Sequence, residues 1–236
     1  MADLLDGTPP RVLAVYAHPD DAEVSCGGTL ARWVRAGSEV HMVVCTMGEK
    51  GTVDPDADPI VLGGRRAEEV AAAAVVLGLA GCSSLGYPDG ELEDGAALRG
   101  SLVRSIRALR PHTVLCPDPT AMIFGDQYVN HRDHRVVGAV TLDAVAPAAA
   151  RPLYFPADGP PHQVSEVLLS GTLEPSVWVD ITATLDDKVA AVVCHRSQFA
   201  DSGDWATAAV RARAEEEGRR AGIACAEAFR RIRFGA

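Results

Sequence analysis

The chain has 236 residues, and its 32 acidic side chains outnumber its 22 basic ones, giving a formal net charge of −10. A chain of this size buries enough surface to fold without a disulfide or a structural metal. Its 47% hydrophobic and 23% charged residues exclude a disordered or fibrous protein. The acidic balance argues against nucleic acid as the main partner, because binding phosphates requires a cationic surface.

The six cysteines lie far apart and form no C-x-x-C pair. The N-terminal residues lack the basic head and apolar core of a secretion signal. We therefore expect reduced thiols, packed as small apolar side chains in a cytoplasmic protein. No run of about 18 apolar residues occurs, so we expect no membrane span.

The predicted elements alternate between strands and helices. The first strand is a run of branched apolar residues, and the helix after it ends at Gly37, a residue typical of helix C-termini. In chain order, we predict strand 11–16, helix 22–36, strand 39–46, loop 47–64, helix 65–78, strand 82–86, helix 96–110, strand 112–116, loop 117–130, a helix from His131, strands 166–171 and 176–180, and helices 182–198 and 205–222.

This alternation predicts an α/β fold, a Rossmann-like three-layer sandwich with a mainly parallel sheet and helices on both faces. No repeat, linker or shift in composition divides the chain. We expect one domain over residues 1–236, with 1–10 as a flexible tail. In such sheets, ligands bind beyond the carboxyl ends of the strands. The loops after the first, second and fourth strands are therefore where chemistry is expected.

Two clusters of ionisable residues fall in these loops. The first, HPDDAE, begins at His18 directly after the first strand, and the second, HRDHR, begins at His131 at the start of a helix. A phosphate-binding loop at the first position would instead contain glycines. The sequence has no G-x-G-x-x-G motif, which disfavours a dinucleotide-binding site.

Together, the two clusters supply three imidazoles and several carboxylates. Catalytic zinc typically takes three nitrogen or oxygen ligands and leaves one position for water, so two histidines and one aspartate would suffice. Taken alone, the first cluster also fits a polar turn with an aspartate capping the helix, and the second fits a solvated helix start. Their shared position at one sheet edge favours a joint site. The remaining histidines singled out, His41, His112 and His162, are interpreted as structural or surface groups.

The combination of AHPDDAE with NHRDHR far downstream resembles the zinc-dependent N-deacetylase family known as PIG-L or LmbE-like. Further blocks resemble the family in order and spacing, namely TMGEKG, GGRRAEEVAAAAVVLG, LGYPDGEL and CHRSQ. The likeness covers about residues 11–230, nearly the whole chain.

The resemblance implies a role for each matching residue. It implies that zinc is bound by His18, Asp21 and His134. It implies that Asp20 is the general base, that His131 is a cation beside the developing oxyanion or the acid for the leaving amine, and that Asp133 orients a histidine. Candidates for contacts with the substrate are Arg66, Asp89 and Asn130.

The activity implied is that of a zinc-dependent hydrolase that removes an acetyl group from an N-acetylglucosaminyl conjugate, a small-molecule substrate. The alternatives are a thiol-conjugate amidase, a natural-product N-deacylase, a metal-binding protein without catalysis, and a nucleotide-binding oxidoreductase. Fe²⁺ is an alternative metal, since two imidazoles and a carboxylate suit both ions. A homo-oligomer, either a dimer or a hexamer, is also consistent with the resemblance.

Two departures from the family pattern affect specificity. Arg132 stands where proline is frequent, and with Arg135 it would place positive charge beside the site and favour an anionic substrate. The tyrosine that precedes the second motif in the family is replaced by Asn130, although Tyr128 is close. We expect the pocket itself to be formed by loops 47–63 and 117–130 and by segment 151–165.

Overall fold

The structure, a computed structural model, describes residues 2–199 and 204–235. Its strands are β1 (Arg11–Tyr16), β2 (Glu39–Thr46), β3 (Gly81–Tyr87), β4 (Thr113–Pro117), β5 (Ile123–Phe124), β6 (Tyr128–Val129), β7 (Glu166–Ser170), β8 (Val177–Asp180) and β9 (Ala226–Arg233). Its helices are α1 (Asp21–Arg35), α2 (Pro59–Leu77), α3 (Ala96–Leu109), α4 (Arg132–Asp143) with a π-helical continuation (Ala144–Ala149), α5 (Leu185–Val192), α6 (Arg196–Phe199) and α7 (Trp205–Ala221). None of these helices has the length and apolar composition needed to cross a lipid bilayer.

Among the described residues, seven strands form one sheet in the order β3-β2-β1-β4-β7-β9-β8. The first five are mutually parallel, whereas β9 runs antiparallel to both of its neighbours. A separate apolar cluster fills the space between the sheet and the helices on each face. The expected three-layer α/β fold with a mainly parallel sheet is confirmed.

The central strand β1 contributes side chains to both apolar clusters. Its side chains alternate across the sheet, so that Val12, Ala14 and Tyr16 join the cluster under α1 while Leu13 and Val15 join the one under α3. A strand buried on both faces needs a continuous apolar run, which is the pattern seen in the sequence. The strand order reverses beside β1, with β2 on one side and β4 on the other, and the loops leaving these strands open a crevice at their carboxyl ends.

The sequence pattern does not predict β9, which lies between β7 and β8. Its sequence, AEAFRRIR, contains arginines that mask the apolar alternation of a strand. The structure accommodates them by pairing, since the Arg231 side chain donates to Glu166 at 2.7 Å. Phe229, by contrast, points into the core and is fully buried.

Helix α2 begins six residues earlier than predicted. Pro59 and two adjacent glycines in this stretch are typical of a loop, which explains the late predicted start at residue 65. In the structure, the Asp58 carboxylate accepts a hydrogen bond from the Ile60 N–H at 2.8 Å, and Pro59 occupies the first turn, where a missing N–H is tolerated.

The single helix predicted at 182–198 is divided into α5 and α6. His195 lies at the break and is fully buried, with Nε2 3.5 Å from a Glu23 carboxylate oxygen. The chain leaves the helical path where this side chain turns inward. Loop 117–130 also contains a feature that the sequence does not predict, the two-stranded hairpin of β5 and β6.

Residues 1–10, expected as a flexible tail, contact the edge of the sheet in the structure. The Leu5 N–H donates to the Trp178 carbonyl at 2.8 Å, and the Trp178 N–H donates to the Asp3 carbonyl at 3.0 Å. These two bonds extend the sheet beyond β8. Met1 lies outside the described residues.

A buried arginine organises the segment expected to form part of the pocket. Arg107 of α3 is buried, and its guanidinium donates to the backbone carbonyls of Ala148, Ala149, Arg151, Tyr154, Phe155 and Gly159. Further along the segment, His162 bonds to the carbonyl of Pro111 at 2.7 Å. Segment 151–165 therefore lies against α3 and the residues before β4, and its part in forming the pocket stays a prediction.

The six cysteines carry free thiols, of which only Cys82 is classed as exposed. Burial raises the pKa of the Cys26, Cys45 and Cys116 thiols far above its ordinary value. Because the thiolate is the reactive form, these three side chains act as unreactive apolar groups in the folded protein.

Candidate metal centre

Four loops bring polar side chains to the carboxyl edge of the sheet. The loop after β1 carries His18, the loop after β2 carries residues 48–51, and the segment after β4 leads to His131 at the start of α4. The sequence analysis predicts chemistry in these three loops. The fourth loop follows β3 and adds Asp89, whose side chain is buried beside His18.

The donor atoms of three side chains meet at this edge. The Nδ1 atom of His18 lies 3.2 Å from Nε2 of His134, and Asp21 places one oxygen 3.0 Å from that Nε2 and the other 3.4 Å from Nδ1 of His18. A tetrahedral zinc ion with bonds of about 2.0–2.1 Å separates its ligands by about 3.3–3.4 Å. The spacing and chemistry of this donor set therefore fit one zinc ion.

The charges around His18 favour a cation at this position. Burial acts to lower the pKa of His18, but the carboxylates of Asp133, Asp21 and Asp89 raise it to about 12. Burial likewise acts to raise the pKa of Asp21, and the two histidines hold it well below its usual range. Imidazole binds metals in its neutral form, so these carboxylates favour a positive charge beside His18, either as a proton on the ring or as a bound cation in place of that proton.

A second group with metal-ligand chemistry shares His18. It consists of His18, His131 and Asp133, whose ligand atoms also lie within 4.8 Å of one another. Asp133 is fully buried and accepts a hydrogen bond from the Gly90 N–H at 2.8 Å. One of its oxygens lies 3.5 Å from Nε2 of His18, on the side of the ring opposite to the first group.

Carboxylates orient the His18 ring. While Nδ1 faces Asp21 and His134, Nε2 lies 3.1 Å from Asp89 and 3.5 Å from Asp133. Such outer carboxylates fix the tautomer of a ligating histidine and increase its basicity. Asp89, a candidate substrate contact from the sequence, thus makes its contact with a candidate ligand, and its role toward substrate stays a prediction.

Asn130 orients the second histidine. Its Oδ1 lies 2.9 Å from Nδ1 of His134, and its amide nitrogen donates to the Ala121 carbonyl at 2.7 Å. An amide oxygen at Nδ1 requires a proton there, which leaves the Nε2 lone pair free for a metal. Asn130 is buried, so its own role toward substrate also stays a prediction.

Replacing Asn130 with alanine should therefore weaken zinc binding by about 10- to 100-fold, the usual cost of losing an outer partner of a ligand. Competition with a chromophoric chelator measures the affinity. Gln163→Ala is the matched control, because Gln163 is a carboxamide that bonds to Val164 away from the site. Unchanged affinity in Asn130→Ala would show that Asn130 does not support a zinc ligand.

Asp20 lies beside the donor set without belonging to it. Its backbone has φ 96°, a left-handed conformation that is costly for a side chain other than glycine, and its carboxylate makes no capping bond to α1. The capping interpretation of the first cluster is thus wrong. Burial and the charge of Asp21 raise the pKa of Asp20 to about 7, although Arg66 and His195 oppose the increase. A carboxyl group with this pKa takes and returns protons readily near neutral pH.

Arg66 holds Asp20 in this conformation. Its guanidinium is buried and donates to the Asp20 carboxylate at 3.2 Å, to the Pro19 carbonyl at 2.7 Å and to the Gly48 carbonyl at 2.8 Å. A Cβ atom at Gly51 would lie 2.3 Å from the guanidinium, so a larger residue there would displace Arg66 from this position. Arg66 therefore contacts protein in this structure, and the substrate contact expected of it stays a prediction.

His131 borders the donor set, with its ring centroid 4.8 Å from that of His18. Its Nδ1 accepts a hydrogen bond from the Asp133 N–H at 3.3 Å, which places the ring proton on Nε2. Burial and the positive charge of His18 lower the pKa of His131. The structure therefore favours a neutral imidazole that donates through Nε2.

The two arginines of the second motif differ in their surroundings. Arg132 is exposed and donates to the Leu92 carbonyl, whereas Arg135 is half-buried. Attraction of an anionic substrate by these side chains stays a prediction.

The sequence analysis did not single out the buried polar groups behind Asp20. Glu23, Glu69 and His195 are all buried, and each has a charged or polar neighbour from a different element. Charged residues are rarely buried without a partner, but the sequence does not show which ones are buried. Glu23, Glu69 and His195 each lie in a block that resembles the family, and these blocks are the signal in the sequence that marks this region, namely AHPDDAE, GGRRAEEVAAAAVVLG and CHRSQ.

Comparisons with known proteins show which family this chain belongs to. The profile of the PIG-L family, described as GlcNAc-PI de-N-acetylase, matches residues 13–145. The diacetylchitobiose deacetylase of Thermococcus kodakarensis is 34% identical over 193 residues, which cover 80% of this chain and 70% of the relative. The 1D-myo-inositol 2-acetamido-2-deoxy-alpha-D-glucopyranoside deacetylase of Mycolicibacterium smegmatis is 30% identical, covering 83% of this chain and 82% of the relative.

A solved structure shows the same architecture. The N,N'-diacetylchitobiose deacetylase from Pyrococcus horikoshii, determined with its inhibitor MPG, is 31% identical and superposes with a TM-score of 0.87. The match covers 95% of this chain and 84% of that one. The expected resemblance is confirmed, and with it the expectation of a deacetylase that acts on a carbon–nitrogen bond. The chain belongs to the PIG-L family of deacetylases.

Proposed function

We propose that the chain removes the acetyl group from an N-acetylglucosaminyl conjugate, with one Zn²⁺ ion bound by His18, Asp21 and His134. The observation that carries this proposal is the meeting of donor atoms from residues 116 apart in the sequence, at ligand spacing and beside the carboxylate of Asp20. The names of both curated relatives specify an acetylated amino sugar, which supports this substrate class.

When bound, the ion polarises the amide carbonyl and makes a water molecule more acidic. Zinc suits the set of two imidazoles and one carboxylate, and Fe²⁺ is the alternative. The family is metal-dependent, which supports a metal of this kind.

The side chains of the site move the protons. Asp20 accepts a proton from the attacking water as the new C–O bond forms at the acetyl carbon. His131 donates a hydrogen bond from Nε2–H to the oxygen on which negative charge develops. A positioned donor of this type contributes about 3–4 kcal/mol to transition-state stabilisation. The C–N bond then breaks as the proton on Asp20 passes to nitrogen, and acetate and a free amine leave.

An assay of amine and acetate release tests this proposal. We expect equal amounts of both products from N-acetylglucosaminyl conjugates, loss of activity after treatment with a chelator, and recovery on addition of Zn²⁺. Hydrolysis that persists after complete metal removal would contradict it. Faster cleavage of a thiol conjugate or of a natural-product amide in a parallel screen would instead support the alternative substrates.

We further place this activity in the cytoplasm. The six free cysteines support a reducing compartment, where disulfides are rare. Fractionation of cells that express the tagged protein tests the location, and recovery outside the cytoplasm would contradict it.

A further inference from the structure

Segment 195–198 lies behind Asp20, and the reaction proposed above does not use it. It contains the last four residues of the CHRSQ block and spans the break before α6 together with the first three residues of that helix. Three of its side chains contact three different parts of the site: α1, α2 and loop 48–51.

The first contact reaches α1 one turn beyond Asp20. His195 is fully buried and places Nε2 3.5 Å from the Glu23 carboxylate, which is also buried. Burial acts to lower the pKa of His195, but Glu23, Asp20 and Glu69 raise it above its ordinary value. The Glu23, Asp20 and Glu69 carboxylates thus favour positive charge on His195, which lies between α1 and α2 in this interior.

The second contact reaches α2. The Glu69 carboxylate accepts hydrogen bonds from the Ser197 N–H at 2.8 Å and from the Ser197 hydroxyl at 2.6 Å. Glu69 lies one helical turn after Arg66, so the two side chains share one face of α2. One face of this helix thus holds Asp20 through Arg66 and segment 195–198 through Glu69.

The third contact reaches the loop that encloses the Arg66 guanidinium. The Gln198 amide donates to the Gly51 carbonyl at 2.9 Å, while the Gly51 N–H donates to the Gly48 carbonyl at 3.1 Å and closes a tight turn. The same Gly48 carbonyl accepts from Arg66. A shift of this turn therefore moves an acceptor that positions the guanidinium.

We propose that His195, Ser197 and Gln198 are positioning residues that hold loop 48–51 and α2 in place, so that Arg66 keeps the Asp20 carboxylate aimed at the reacting water. This inference rests on the proposed function, because it assigns these residues to the same general base. It assigns them no contact with the substrate or with the metal.

Gln198→Glu tests the proposal, because it keeps the size of the side chain but replaces the N–H donor that faces the Gly51 carbonyl. We expect kcat to fall by about 10- to 100-fold, as for other partners that orient a catalytic group. KM and zinc affinity should stay within about twofold, since neither substrate nor metal loses a contact. Ser197→Ala, which removes one of the two bonds to Glu69, should shift kcat in the same direction and serves if Gln198→Glu fails to fold.

Glu166→Gln is the matched structural control. It weakens a buried hydrogen-bond network with Thr113 and Arg231 at the amino end of β7, away from the site, so it should lower the melting temperature and leave kcat per folded molecule unchanged. If general destabilisation explained the effect of Gln198→Glu, Glu166→Gln would lower kcat to a similar extent.

A double variant tests whether Gln198 affects Asp20 through Arg66. In an Arg66→Met background, Gln198→Glu should lower kcat no further, because the contact that it disturbs is already absent. Multiplicative losses in the double variant would overturn the proposal. Wild-type kcat in both folded single variants, Gln198→Glu and Ser197→Ala, would also overturn it. If the wild-type protein itself released no amine from any substrate, the proposed function and this inference would both be wrong.

Discussion

Asp20→Asn is expected to lower kcat by about 10²- to 10⁴-fold, the range that a general base contributes. The substitution keeps the shape of the side chain and one oxygen that can accept from Arg66, but it removes the group that takes the proton. The metal content should be unchanged, because Asp20 lies outside the candidate ligand set. Amine-release kinetics and elemental analysis of the same sample measure both quantities.

Asp6→Asn is the matched control, since Asp6 is an exposed aspartate that precedes β1, outside the loops expected to form the pocket. It carries the same change of charge and should behave as the wild type. An Asp20→Asn variant that hydrolyses substrate at the wild-type rate would show that the base lies elsewhere. One that loses its metal would show that Asp20 is itself a ligand.

His134→Ala is expected to abolish both zinc binding and hydrolysis. The substitution removes the one donor contributed by α4, leaving only His18 and Asp21 from the first motif. Two ligands do not complete a catalytic zinc site, which needs three protein groups. Elemental analysis after dialysis, followed by the amine-release assay at saturating Zn²⁺, measures both losses.

His41→Ala is the matched control, because it shows whether the loss of a histidine elsewhere has the same effect. His41 lies on β2 and contacts Glu39 at 2.9 Å, away from the candidate ligands. The control should keep one zinc ion per chain and full activity. Retention of zinc by His134→Ala would contradict the proposed ligand set.

The parallel half of the fold is predictable from local sequence. The strands β1, β2 and β4 each contain an apolar run that is buried on both faces, and the runs are separated by helical patterns. The β9 strand is not predictable in this way. Its arginines are neutralised by partners distant in sequence, such as Glu166, and a local pattern contains no information about those partners.

In the candidate site, too, some features are predictable from the sequence and others are not. Both histidine motifs follow strands at one edge of the sheet, which suffices to predict that the two motifs meet there. The choice of His18, Asp21 and His134 among their side chains comes from the resemblance to the family, and the structure brings these three together. The partners of the outer residues depend on loop conformation. Asp89 and Asn130 contact His18 and His134 because the loops that carry them fold back onto the ligands, and neither contact follows from spacing in the sequence.

Anomalous diffraction at the zinc absorption edge, from crystals grown with Zn²⁺, tests the central claim most directly. We predict one peak per chain, about 2.0–2.2 Å from His18 Nδ1, His134 Nε2 and an Asp21 oxygen. A peak instead bound by His18 Nε2, His131 and Asp133, or no ordered peak at this edge of the sheet, would contradict the account.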